Sequence, residues 1–183
     1  MKTIAWEVTF SGLPKTYKYC KKCKSKTEYI SSELFRVNAN QKNVDVWLIY
    51  RCNSCKSTWN MPIYQRINRL KLEQQELEQL MNNDSIIAKK YAMDYYLLKQ
   101  QGAAPEVPEF SVNGDMPNGE TVNIVLTGEY YMPLKISKII RRKLGLSTQA
   151  YAELIASGMI VSCDGIDLYK GKFIQPTTII IKT

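Results

Sequence analysis

Four of the five cysteines fall in two pairs of one spacing, Cys20-Lys21-Lys22-Cys23 and Cys52-Asn53-Ser54-Cys55, with 28 residues between the pairs. Two residues between cysteines let a tight turn aim both sulfurs at one point. Two such turns complete a tetrahedron around zinc, about 2.3 Å from each sulfur. Cys20, Cys23, Cys52 and Cys55 are therefore the expected ligands of a Zn2+ ion, and with no open position the metal is structural, not catalytic. Lys21, Lys22, Lys24 and Lys26 crowd the first pair, where cations favour thiolate over thiol and offset the negative charge of zinc held by four sulfurs. A redox dithiol and cysteines buried as small apolar groups are the competing readings. A redox Cys-x-x-Cys normally comes singly near a βαβ pattern, and neither condition holds. Thiolate ligation, on the order of 10 kcal/mol in small modules, would make this half of the chain depend on metal to fold. Cys163 stands alone and reads as a buried or incidental thiol.

The chain contains no histidine, which excludes Ser-His-Asp triads, Cys-His nucleophile pairs, helix-borne zinc proteases and mixed Cys/His zinc sites. A carboxylate enzyme is disfavoured because Glu106, Glu109, Asp115, Glu120 and Glu129 cluster in a stretch that reads as a solvated tether. The nine glycines are scattered and form no phosphate-binding loop. The expectation is a protein that is not an enzyme. An odd cysteine count with four in metal spacing fits a reducing compartment, so the expected location is cytoplasmic. MKTIAWEVTF alternates like a strand and not like a signal peptide, and no stretch approaches the roughly 18 apolar residues of a membrane span.

The elements that must position the cysteines read as an antiparallel sheet. TIAWEVTF, TEYISSELFRVN, VDVWLIYRC and STWNMPIYQRI are rich in β-branched and aromatic residues, and turn formers from Asn38 to Asn43 join the second and third. The residues between the cysteine pairs thus hold a hairpin that returns the second pair to the first, an arrangement that resembles a zinc ribbon. Trp6, Phe35, Trp47, Tyr50 and Trp59 lie in these strands, most of them facing a core. Trp47 and Ile49 share one face of their strand, with Leu48 and Tyr50 on the other. Both faces are apolar, so one is left to pack on helices or a partner, and a base-stacking role is open to an aromatic there. From Leu70 the spacing turns helical, with Leu70, Leu77, Leu80 and Met81 in one piece and Ile87, Tyr91, Tyr95 and Leu98 in another after Asn82, Asn83 and Asp84.

Charge divides the chain further. Residues 1–66 carry 12 basic and 4 acidic groups, 67–104 carry 5 of each, 105–133 carry 5 acidic and none basic, and 134–183 carry 8 basic and 3 acidic. The expected class is α+β: a zinc-ribbon-like antiparallel sheet with trailing helices, plus a small C-terminal αβ domain. The expected boundaries are a ribbon-like β domain over 1–69, a helical segment packed on it over 70–101, an acidic linker with room for one strand over 102–129, and the C-terminal domain over 130–183.

In the last of these, Ile136, Ile139, Ile140 and Leu144 form one stripe of a helix, leaving Lys135, Lys138, Arg141 and Arg142 away from it and Lys143 at its margin. Ser147 is the expected N-cap of a second helix carrying Ala150, Tyr151, Leu154 and Ile155, which Gly158 closes. Strand-like MIVSC and TTIIIKT follow. The spacing Leu-Gly-Leu-Ser-x6-Leu-Ile-x2-Gly-x-Ile from Leu144 to Ile160, then Gly165 and Ile174-Gln175-Pro176, resembles the RNA-binding domain first seen in the fourth protein of the small ribosomal subunit. That resemblance covers about 50 residues and implies a basic residue at the head of the first helix and another three on, matched by Lys135 and Lys138. A Ser-Arg-Ser element usually opens the second helix, where this chain has Ser147, Thr148 and Gln149. The usual Asn-Gly turn appears only as Cys163-Asp164-Gly165.

Over its whole length the chain resembles a bacterial family catalogued as domain of unknown function 1062. The resemblance lies in Phe35 to Asn40, Asp45 to Tyr50, Cys52 to Cys55, Thr58 to Tyr64 and Tyr91 to Tyr95; it implies a bacterial cytosolic protein and no particular activity. The sequence therefore leads to a non-catalytic, zinc-containing RNA-binding protein, ribosome- or tRNA-associated. Lys135, Lys138, Arg141, Arg142 and Lys143 would meet phosphates on rRNA or tRNA. The alternative is a protein-interaction or regulatory scaffold gripping a protein partner through the ribbon and the helices. The sequence does not fix an oligomeric state.

Overall fold

In KTIAWEVTF the apolar Ile4, Trp6 and Val8 alternate with solvent-facing neighbours and are all buried, as in a strand with one face on a core. In the computed structural model, which describes residues 1–40 and 42–182, this strand, β1 (Lys2–Phe10), does not join the cysteine-bearing sheet. Gln41, in the expected turn, and Thr183, at the end of the expected last strand, lie outside the described residues. The remaining elements are β2 (Thr16–Cys20), β3 (Ser25–Ala39), β4 (Asn43–Cys52), β5 (Thr58–Asn68), α1 (Gln74–Met81), α2 (Ser85–Ala92) and α3 (Tyr95–Gln100). After them come β6 (Ala104–Pro105), β7 (Phe110–Asn113), β8 (Val122–Gly128), α4 (Ile136–Leu144), α5 (Thr148–Ala156), β9 (Ile160–Ser162) and β10 (Thr177–Ile181). The chain is thus mixed α and β, mostly strand, with two sheets and short helices. Among the described residues no helix is long and apolar enough to cross a membrane.

The chain forms two compact units: Leu13–Glu106, and Met1–Gly12 together with Val107–Thr183. The second is discontinuous because β1 pairs in parallel with β8, Ile4 beside Ile124 and Trp6 beside Leu126, and antiparallel with β7. A parallel pair needs a long crossover, and here the whole of the other unit is inserted in it. The strand order is β7-β1-β8-β10-β9. Val122, Ile124, Leu126, Ile179, Ile181 and the β1 residues supply one buried face, closed by Ile136, Ile139 and Ile140 of α4 and Tyr151 of α5. Residues 102–129, expected as an acidic linker with room for one strand, carry three, β6, β7 and β8. The β8 run VNIVLTG is short and its flanks are polar, so its place inside a sheet comes from β1, more than a hundred residues earlier.

In the unit Leu13–Glu106 the order is β5-β4-β3-β2-β6, antiparallel throughout. Val44, Val46, Leu48, Tyr50 and Cys52 of β4 form a core with Leu77, Leu80, Ile87, Tyr91 and Leu98 of the helices. The second expected helical run is broken in two by Asp94, whose carboxylate accepts the Leu97 N–H and caps α3. Leu70, expected on the apolar stripe of the first run, lies in a 3-10 turn over Arg69–Lys71 and is 94% exposed. Regrouping the charges by unit gives Leu13–Glu106 16 basic and 9 acidic residues, and the other unit 9 and 8.

Candidate functional site

The two Cys-x-x-Cys turns connect β2 to β3 and β4 to β5, and they are built alike. In each, the residue after the second cysteine is left-handed, Lys24 at φ 54° and Lys56 at φ 60°, which reverses the chain so that both sulfurs of a pair point the same way. The register of β3 on β4, Tyr29 beside Cys52, carries the second turn to the first. All four sulfurs then lie within 4.8 Å of one another. Cys20 Sγ is 3.6 Å from Cys55 Sγ and Cys23 Sγ is 3.9 Å from Cys52 Sγ. A tetrahedron with metal–sulfur bonds of about 2.3 Å has edges of about 3.8 Å, so these separations suit a bound ion and are far too long for disulfides, whose sulfurs lie about 2 Å apart.

Cys20 and Cys52 are buried, Cys23 and Cys55 partly so. The Ser57 hydroxyl lies 3.4 Å from Cys20 Sγ and 3.1 Å from Cys55 Sγ, and the Thr27 hydroxyl 3.2 Å from Cys52 Sγ. Hydrogen bonds from the hydroxyls of Ser57 and Tyr29 bring the Cys20 thiol down to about 5. The Cys55 backbone N–H, then Thr27, lower Cys52. Cys23, bonded to Cys55 and desolvated, is pushed up to about 12. The surroundings of Cys20 and Cys52 thus favour the thiolate form of each, and hydrogen bonds to the ligating groups are the usual outer support of a metal site. Ser57 and Thr27 were not singled out in the sequence. The position of Ser57, two after Cys55, is the only signal it gives.

The cations of α4 are separated by the structure into two sets. Lys135, Lys138, Arg141 and Arg142 line a groove of about 720 Å³ with Thr148 at the start of α5 and Tyr169. Among the described residues no carboxylate lines it. Lys143 does not line it: its ammonium donates to the Gly114 carbonyl and lies 5.8 Å from the Trp6 ring. Arg142 is shared, its guanidinium 4.1 Å from the Phe110 ring, donating to the Phe110 carbonyl and paired with Glu109 at 3.4 Å. Gly114 itself, at φ +117°, has no room for a side chain, because a Cβ would lie 2.1 Å from the Ala5 carbonyl oxygen.

The expected helix pair is present. Ser147 accepts the Ala150 N–H as N-cap, and Gly145, left-handed at φ +67°, ends α4. Tyr169, which the sequence did not mark, is held at the groove by Asp167, whose carboxylate accepts the N–H groups of Tyr169 and Lys170. Those two bonds, the one from Lys170 first, keep the Asp167 carboxyl below its ordinary range. The Tyr151 hydroxyl donates to the Leu168 carbonyl and anchors the same loop. Cys163 is exposed.

The family model described as protein of unknown function (DUF1062) matches residues 37–165. No curated protein and no solved structure matches the chain.

Proposed function

The chain belongs to this family of unknown function, which leaves its activity to the residues, and from them we propose a non-catalytic RNA-binding protein of the cytoplasm, held together by a structural zinc ion. The observation that carries this reading is the groove beside α4, where Lys135, Lys138 and Arg141, with Arg142 shared with Glu109, surround an open cavity that among the described residues no carboxylate lines. A rigid cationic groove recognises structured RNA by its backbone without a base code. Thr148 puts the N-terminus of α5 on the same wall, where unsatisfied N–H groups favour a phosphate. The resemblance to the ribosomal RNA-binding domain, from Leu144 to Pro176, points to rRNA or tRNA; Thr148 in place of arginine weakens it.

Zinc is the metal that four thiolates in a closed tetrahedral set fit best. Such an ion would tie the β2–β3 and β4–β5 turns together, in keeping with a zinc ribbon, and leave no coordination position for a substrate. A second reading, a scaffold for a protein partner, draws on Leu34, Met81 and Ile86. All three are exposed and flank the hydrogen bond from the Phe35 N–H to Asn83. Apolar residues grouped in this way mark partner surfaces, and binding there would survive moderate salt, unlike binding in the groove.

The test is purification at low salt with zinc determined per chain and the 260/280 nm ratio read before and after ribonuclease, followed by an RNA titration of the Lys135→Ala/Lys138→Ala variant. Expected are one zinc ion per chain, nuclease-sensitive absorbance, and weaker binding to every structured RNA tried. The log–log salt dependence should flatten by roughly 0.7 for each phosphate that the variant no longer neutralises. Unchanged affinity in the double variant rules the groove out, and clean protein whose pull-down resists salt favours the scaffold.

A further inference from the structure

The sheet of Leu13–Glu106 has two unlike faces. One packs on the helices through Leu48 and Tyr50, whereas Trp47 and Ile49 point the other way and remain half-exposed. The register places Arg36 opposite Trp47 and Lys26 opposite Tyr19 on that open face. Cations sit against its rings: the Arg36 guanidinium is 5.7 Å from the Trp47 ring and the Lys26 ammonium 5.9 Å from the Tyr17 ring. Tyr19 is 60% exposed. Arg51 on β4 is exposed on the same side, paired with Ile30 of β3. The carboxylates of this face have neighbours of their own, Glu28 accepting from the Asn53 amide at 3.3 Å and Asp45 from the Arg66 N–H at 2.8 Å. Of the net charge of +8, +7 belongs to this unit.

Aromatic rings half-open to solvent on a sheet, each next to a cation, are what a single polynucleotide strand needs. Bases stack on the rings whatever their identity, and the cations meet the phosphates. A duplex, with its bases already stacked inward, gains nothing from such rings. We propose that this open face binds single-stranded RNA by stacking bases on Trp47 and the Tyr17–Tyr19 pair, with Arg36, Arg51 and Lys26 against the backbone. It is a second surface, on a different unit from the groove beside α4, and either can fail without the other.

The test is fluorescence anisotropy of a labelled oligouridylate with the zinc-loaded protein, against a duplex RNA of equal length. The wild type should bind the oligouridylate. Tyr19→Ala and Trp47→Ala should each weaken it roughly 5- to 100-fold, and far more than they weaken the duplex. Metal content checks the fold of each variant. Should Trp47→Ala lose its metal, Tyr19→Ala decides, since so exposed a ring holds no core together. The proposal is overturned if the wild type does not bind the oligouridylate, or if Tyr19→Ala binds it as the wild type does or loses the duplex to the same extent. A protein that fails in the groove but passes here binds RNA through the sheet alone.

Discussion

Lys138 and Lys143 are carried by one helix and hold different things. The Lys138 ammonium lies on the groove wall, 5.5 Å from the Phe110 ring, whereas that of Lys143 fastens the chain at Gly114 over Trp6. Lys143→Ala should therefore lower the stability of its unit by about 1 kcal/mol, the worth of a partly exposed charged hydrogen bond, and leave RNA affinity unchanged. Lys138→Ala should do the reverse. Urea denaturation and an RNA titration on the two variants separate these outcomes. Helical periodicity was enough to place four of the cations off the apolar stripe and Lys143 at its margin, because direction around a helix depends on spacing alone. It could not sort them, since the sorting depends on Phe110 and Gly114, far away in sequence. The cysteines were legible for the opposite reason: two residues of spacing determine the turn, and the turn determines where the sulfurs point.

Between elements, the clearest joint is made by hydroxyls that no pattern reveals. Tyr91 of α2 donates to the Glu76 carboxylate of α1 at 2.6 Å and lies 2.9 Å from the Tyr64 hydroxyl of β5, which itself donates to Glu76 at 3.1 Å. Spacing marked Tyr91 as part of an apolar stripe and said nothing of its oxygen. Tyr91→Phe leaves the Tyr64–Glu76 bond and removes the other two, so it should cost about 1–2 kcal/mol, seen as a lower urea midpoint at unchanged m. Burial, then Glu76, holds the Tyr91 hydroxyl well above the ordinary tyrosine range. A raised folded value means that the contribution is complete below the unfolded value of about 10 and is lost as pH rises beyond it. The penalty of Tyr91→Phe should accordingly stay level through neutral pH and shrink only in strong alkali.

At the scale of the molecule, β3, β4 and β5 of Leu13–Glu106 were legible because each pairs with the next along the chain, as hairpins do, whereas β2 and β6 were not read as strands. The other sheet was not, because β1 finds its partners only after the inserted unit, and a scan for composition changes sees a linker where a discontinuous sheet closes. The two divisions of the chain make opposite predictions for fragments. Residues 1–101, cut as the composition suggests, would keep β1 without β7 or β8 and leave Ile4, Trp6 and Val8 uncovered, whereas residues 130–183 would lack three of the five strands of their sheet. Residues 13–106 keep every strand of their sheet, the helices and all four metal ligands. The ends of that insertion also lie together, the Glu106 N–H donating to the Lys15 carbonyl, as in domains that tolerate insertion. The fragment 13–106 should thus be monodisperse, take up one metal ion and unfold cooperatively in a thermal scan. Fragments 1–101 and 130–183 should aggregate or give collapsed amide spectra. A well-folded 130–183 would show that β1 is dispensable and would return the boundary to where the charge pattern puts it.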